Sequence, residues 1–144
     1  METKVKIWTK SELNKLQYEI IGAVIEVHRH LGPGLLESVY HRCLKHELTL
    51  RGIFFESELK TYINYKDMEE KDEDTLRCDL LVEKAIVLEL KSVTCFAPIH
   101  ETKLMNYMRL LKKPKGLLVN FNCTNIVEEG YKSLVNEIYR QLPD

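Results

Sequence analysis

The sequence predicts an α/β fold of the α+β type, and three observations carry that expectation. Two stretches place apolar residues at helical spacing on either side of a Gly-Pro-Gly break, a group of strand-like runs follows, and a further helix and strand lie behind them. The 144 residues fit one domain over 1–144. A chain of that length buries about 70% of its unfolded surface and needs no disulfide or metal staple.

From Ser11 to Leu31, the residues Leu13, Leu16, Ile20, Val24, Val27 and Leu31 recur at helical spacing, and Ser11 is the expected N-cap. Gly32-Pro33-Gly34 stops that helix and starts a second, whose apolar residues Leu36, Tyr40, Cys43, Leu44 and Leu48 run up to Gly52. "IFFESELKTYINY" alternates and is rich in aromatic and β-branched residues, so it reads as a strand. "KDMEEKDED" is a solvated connection. "RCDLLVEKAIVLELKSV", Arg77 to Val93, reads as a hairpin of two buried strands. A helix from Pro98 to Leu111 and a strand "GLLVNF", Gly116 to Phe121, complete the order ααβββαβ. In the tail, Val127, Tyr131, Leu134, Val135, Ile138 and Leu142 fit a helix, although "YKSLV" alone also reads as an edge strand; helix is the expectation.

Composition excludes more than it names. A net charge of -1 provides no global basic field, so any contact with nucleic acid must rest on a local site. Cys43, Cys78, Cys95 and Cys123 show no zinc-type spacing and sit among apolar neighbours, as buried reduced thiols do. With no signal-peptide core at "METKVKIWTK" and no apolar run near the roughly 20 residues of a membrane span, a cytoplasmic protein without membrane contact is expected. The histidines His28, His30, His41 and His46 lack i, i+4 pairing and are assigned no metal.

The hairpin raises the functional question, because Asp79, Glu89 and Lys91 stand among buried positions. Glu89 and Lys91 share a face with Val87, while Arg77 and Asp79 share one opposite Cys78, Leu80 and Val82. A three-residue connection, Glu83-Lys84-Ala85, pairs Val82 with Ile86 and hence Asp79 with Glu89; a two-residue turn would put the carboxylates on opposite faces. Opposed like charges destabilise a sheet unless something compensates. Mg²⁺, which is commonly held by one or two carboxylates together with substrate phosphate, fits that need. Lys91 would point at the same space, where an ammonium can orient an attacking water and offset phosphate charge.

"ELK" after an aspartate strand resembles the PD-(D/E)XK nuclease superfamily, and "GLLESVY" at Gly34 to Tyr40 is similar to the GxxExxY signature of a small bacterial family placed within it. The resemblance runs from "IIGAVIEVHRHLGPGLLESVYHRCLKHEL" through the hairpin and "IHETKLMNYMRLL" to "GLLVNF". It implies a restriction-endonuclease-like core: a mixed central sheet flanked by helices, with the site on a β-hairpin and an extra helix in front. It further implies Mg²⁺, or Mn²⁺ as substitute, held by Asp79, Glu89 and the Leu90 carbonyl, a catalytic Lys91, and hydrolysis of phosphodiesters in nucleic acid, DNA before RNA. A protein partner or self-association is also compatible with it.

Glu37, taken as the third residue of a helix capped at Gly34, corresponds to an acidic residue that in many superfamily members reaches the metal or its water. At a helix start a glutamate also simply meets the helix dipole. Tyr40, one turn later, is expected to pack with its hydroxyl at the rim, within reach of substrate. His100, Lys103 and Tyr107 form one face of the later helix and are candidate substrate contacts. The family usually has glutamine where Lys103 stands, and a lysine can meet a phosphate but cannot accept a hydrogen bond from water. Two further readings remain open: a nuclease-fold module that binds nucleic acid or a protein without turnover, and a subunit active only in a complex. A glycosidase is disfavoured by the lysine beside the carboxylates and by the lack of an aromatic sugar platform.

Overall fold

The computed structural model describes residues 6–71 and 75–144. Helix α1 spans Lys10–Leu31 and α2 spans Glu37–Leu50; strands β1 (Phe55–Tyr62), β2 (Thr75–Val82) and β3 (Ile86–Lys91) follow. Then come α3 (Pro98–Leu111), β4 (Lys115–Asn120), α4 (Ile126–Glu129), β5 (Tyr131–Val135) and α5 (Glu137–Arg140). The strands form one five-stranded sheet in the order β1-β2-β3-β4-β5, parallel only between β3 and β4. That single parallel pair requires a crossover, and α3 supplies it. From α2 to β4 the order is the helix, three antiparallel strands, helix and strand of a restriction-endonuclease-like core, with α1 in front.

Two apolar clusters lie on opposite faces of the sheet. On one face, Leu13, Ile20 and Val24 of α1 and Tyr40, Leu44 and Leu48 of α2 pack over Leu80, Leu88, Leu90, Leu117 and Val119. On the other, Leu104, Tyr107 and Met108 of α3 pack over Cys78, Leu81, Val87 and Leu118. The crossover helix approaches β4 closely because residue 116 is glycine. A Cβ there would come within 2.7 Å of the Met108 sulfur and 2.9 Å of Leu104.

Four expectations are corrected. The N-cap of α1 is Thr9, not Ser11: Glu12 N–H donates to Thr9 Oγ1 (3.0 Å) and Thr9 N–H donates to Glu12 Oε1 (3.1 Å), a reciprocal capping box. Helix α2 starts at Glu37, so that residue is its first and not its third. The tail is not a continuous helix. "YKSLV" is strand β5, because Gly116 to Val119 leave a backbone edge to which it pairs, with Gly130 ending α4 just before it. Among the thiols, Cys78 is buried but Cys95 is exposed, with Cys43 and Cys123 between. Of the expected solvated connection, Lys66 to Asp74, residues 72–74 lie outside the described residues and 66–71 are exposed as expected.

Candidate metal and active site

The hairpin has the register of a three-residue connection: Val82 pairs with Ile86, Leu81 with Val87 and Leu80 with Leu88. Glu83 and Lys84 are both left-handed, at φ 51° and 54°, and Ala85 N–H closes the turn on the Val82 carbonyl at 2.9 Å. Continued, this register sets Asp79 opposite Glu89, but the ladder ends at Leu80 and Leu88. Beyond it the carboxylates take the backbone donors. Asp79 N–H donates to Glu89 Oε1 at 3.0 Å, and Leu90 N–H donates to Asp79 Oδ2 at 2.8 Å. The strands fork there, with the two carboxylates in the fork.

The fork has a counterpart on β1. Pairing between β1 and β2 runs through Ser57 with Leu80 and resumes at Leu59 with Cys78, skipping Glu58, whose φ is 52°. A non-glycine residue in the left-handed region inside a strand is uncommon and concentrates at functional sites. The pleat slips at this point. Leu80 and Val82 face α1 and α2, whereas Cys78 packs with Leu81 and Val87 under α3. The expectation that Cys78 shares a face with Leu80 and Val82 is therefore corrected: unbroken alternation does not survive the kink at Glu58 and Asp79.

Leu90 is fully buried, and its backbone edge faces the fork. The Lys91 carbonyl accepts from Phe121 N–H at 3.0 Å, so odd residues of β3 turn their backbone groups to β4 and even ones to β2. The Leu90 carbonyl thus lies on the same edge as the N–H that meets Asp79.

Glu89 is only 6% exposed. Burial, first, and then the charge of Asp79 push its carboxyl up to about 8, against the opposing pull of Lys91. The same two carboxylates reach their neighbours. The Tyr107 phenol is raised by burial and then by Glu89 and Asp79, and the Cys78 thiol is pushed up to about 12 by burial, Glu89 and Asp79. Cys78 therefore stays a thiol and is no nucleophile. Tyr107 stays a neutral hydroxyl beside the carboxylates, one turn after the exposed Lys103.

On the other side of the fork, Glu37, Ser38 and His41 of α2 line a cleft of about 310 Å³ together with Asp79. His41, which the sequence reading left without a role, stands one turn after Glu37, and its Nε2 lies 3.5 Å from the Ser57 hydroxyl next to the kink. The i, i+4 spacing from Glu37 was the available signal.

Two expected substrate contacts have structural employment instead. Tyr40 is fully buried and stacks on Phe121 at 4.5 Å. Its hydroxyl donates to the Gly32 carbonyl (2.5 Å) and accepts from Leu35 N–H (3.2 Å), tying down the Gly-Pro-Gly loop, so no polar atom is left for a rim contact. His100 accepts from Ala97 N–H through Nδ1 at 3.1 Å and thereby caps α3, with Phe96 against its ring. Tyr40 is thereby corrected from a substrate-binding role, whereas His100 spends Nδ1 on the cap and is only half-buried.

The donors at the fork are two carboxylates and a backbone carbonyl, the hard oxygen set that suits Mg²⁺ or Mn²⁺. Among the described residues no three His, Cys, Asp or Glu side chains converge on one point, so Glu37 stands back from the pair.

A mixed sheet with a forked carboxylate hairpin and an adjacent lysine, between helices, defines a restriction-endonuclease-like α/β protein. A family model for the PD-(D/E)XK nuclease superfamily matches residues 14–134, and the chain belongs to that superfamily. Its nucleases generally depend on divalent metal, and membership implies nucleic-acid binding. The crystal structure of SSO0001 is similar at TM-score 0.50 and 20% identity, over 97% of this chain and 74% of that one, a likeness of fold alone. No curated protein matches the chain.

Proposed function

We propose that residues 1–144 form one nuclease domain of the GxxExxY group, a Mg²⁺-dependent phosphodiester hydrolase acting in the bacterial cytoplasm on nucleic acid, DNA before RNA. The observation that carries this reading is the fork: a sheet has been opened to hold two carboxylates and a carbonyl edge, with a lysine beside them. Asp79, Glu89 and the Leu90 carbonyl would hold the cation, with Mn²⁺ as substitute. When bound, it supplies Lewis acidity and lowers the pKa of a nucleophilic water. Lys91 orients that nucleophile and offsets charge gathering on the phosphate. Glu37, exposed across the cleft from Asp79, receives or relays a proton at its carboxylate. Tyr107 donates a hydrogen bond towards the substrate, and Lys103 meets a phosphate as a point charge. Among the described residues no helix is long and apolar enough to cross a membrane.

A second reading rests on Lys103. Because lysine cannot take over a glutamine's water-orienting role, the domain would bind nucleic acid or a protein partner without turnover. One experiment separates the two. Labelled single-stranded, duplex and branched DNA and RNA are incubated with Mg²⁺, Mn²⁺ or Ca²⁺. Cleavage is expected with the first two and not with Ca²⁺. Asp79→Ala or Glu89→Ala should lower it roughly a thousandfold or more, the rate equivalent of several kcal/mol, with the circular dichroism spectrum unchanged. Lys91→Ala should lose cleavage while keeping Mn²⁺ binding. No metal-dependent product from any substrate would overturn the hydrolase in favour of the binding module.

A further inference from the structure

At the closed end of the hairpin, away from the fork, lies a cavity of about 710 Å³ that the proposed chemistry does not use. Its volume is in the range of built ligand sites. Lys84 of the turn and Lys112 and Lys113 after α3 stand on its rim, and Lys6 at its side. Among the described residues, Lys84, Lys112 and Lys113 have no ion-pair partner. Lys6 is already engaged, by Glu12 at 3.2 Å and by the Trp8 ring at 3.7 Å. The one carboxylate in the lining, Glu83, accepts from Phe54 N–H at 2.8 Å. In a chain of net charge -1, this is a local excess of unpaired positive charge.

The wall between those lysines is apolar. Phe54, 51% exposed, presents an aromatic ring, and Trp8, Pro114 and Leu142 line the rest. An occupant must combine anionic groups with a flat or apolar body. A duplex offers phosphates but keeps its bases stacked inside, whereas an unpaired strand offers phosphate and base together, the combination that aromatic, lysine-lined grooves recognise. Ala85 in the lining is four residues from Glu89, about 13 Å at the rise of a strand, so a few nucleotides span from cavity to fork.

We propose that this lysine-rimmed cavity is a binding site for an unpaired, single-stranded segment of nucleic acid, held through its phosphates by Lys84, Lys112 and Lys113 and through a base by Phe54. This goes beyond the hydrolase reading by giving the substrate a single-stranded part, and it rests on that reading for the choice of nucleic acid over an acidic protein.

Trp8 is the only tryptophan in the chain, so its fluorescence reports on the cavity. The intact protein is titrated with a twelve-residue oligothymidylate in EDTA, which removes divalent metal from the measurement. A saturable change in Trp8 emission that weakens with salt is expected. Lys84→Glu and Lys112→Glu, both at exposed positions, should each weaken binding about tenfold and lower the salt slope by roughly one counterion. Asp79→Ala leaves the three lysines and Phe54 in place and should still give the saturable Trp8 change, which separates this cavity from the fork. The proposal is overturned by the absence of a saturable signal, by lysine variants that bind as wild type, by an equal response to the matching duplex, or by an equal response to a polyglutamate peptide, which would mark an acidic-protein site. Mn²⁺ binding by wild type and by Asp79→Ala is measured separately, so failure of the cavity and failure of the fork are told apart.

Discussion

The two ends of the β2–β3 hairpin share one register and differ in what completes their backbone hydrogen bonds. At the turn end, Leu80, Val82, Ile86 and Leu88 are fully buried and the strands pair directly. At the fork, three residues further along β3 than Ile86, two carboxylates replace the missing ladder acceptors. A buried backbone N–H left without a partner is costly, so the fork is tolerated because Asp79 and Glu89 satisfy the donors their own intrusion exposes. The same bonds orient both carboxylates before any ligand arrives. A well-packed end thus holds an electrostatically frustrated end in shape, which is how strain is commonly kept at a functional site.

The comparison breaks most severely at the packed end. Leu88 is fully buried on the strand between β2 and β4, in the apolar cluster it shares with residues of α1 and α2. Leu88→Ala should cost about 2–5 kcal/mol of stability, the usual range for a buried leucine, measured by denaturant unfolding. A loss below about 1 kcal/mol would mean that the packed end is not what holds the hairpin.

A second test sharpens the electrostatic half. Glu89 has its carboxyl raised to about 8 in the folded protein, so the fold binds that proton more tightly than the unfolded chain does. The stability this contributes is present below the ordinary carboxylate range and is lost as pH rises towards about 8. Without divalent metal, the melting temperature of wild type should fall between pH 5 and pH 8 relative to Glu89→Gln, which keeps an oxygen for Asp79 N–H but carries no charge. At pH 8, Mg²⁺ should restore wild type and leave Glu89→Gln unmoved, since a ligand stabilises only the state that binds it. Parallel pH profiles of the two proteins would refute the frustrated pair.

The difference between the ends also shows what could be read from sequence. The turn end was legible: alternation and a three-residue connection imply the pairing of Val82 with Ile86 that the sheet shows. The juxtaposition of Asp79 with Glu89 follows from the same index sum. What escaped was the slip at Asp79, because alternation assumes an unbroken pleat and nothing in "RCDLL" signals that the partner residue, Glu58, is left-handed. The tail departs from its apolar spacing for a related reason. Its apolar spacing fits a helix, and only the free edge of β4 decides for a strand. Tyr40 and His100 were placed at the cleft by helical phase, but phase cannot show that Phe121 stacks on one and that the first turn of α3 claims the other. Histidine pairing says nothing about His41, whose partner at helical spacing is a glutamate, Glu37.

The smallest effect concerns the kink itself. A left-handed conformation costs a non-glycine residue roughly 1–2 kcal/mol, and glycine would remove that cost at Glu58 while adding about 0.5–1 kcal/mol of unfolded-state entropy. Glu58→Gly should therefore leave stability within about 1 kcal/mol of wild type, on the favourable side. Glu58→Val should lose about 1–3 kcal/mol, because a β-branched residue is a true outlier at φ 52° and favours the flat pairing that the kink prevents. Glu58 is exposed to solvent, so differences in burial do not obscure the contrast between the two substitutions. Should valine prove more stable than glycine, the strand would be regular at Glu58, Asp79 would regain its β1 partner, and the fork would lose the opening that presents Asp79 to Glu89.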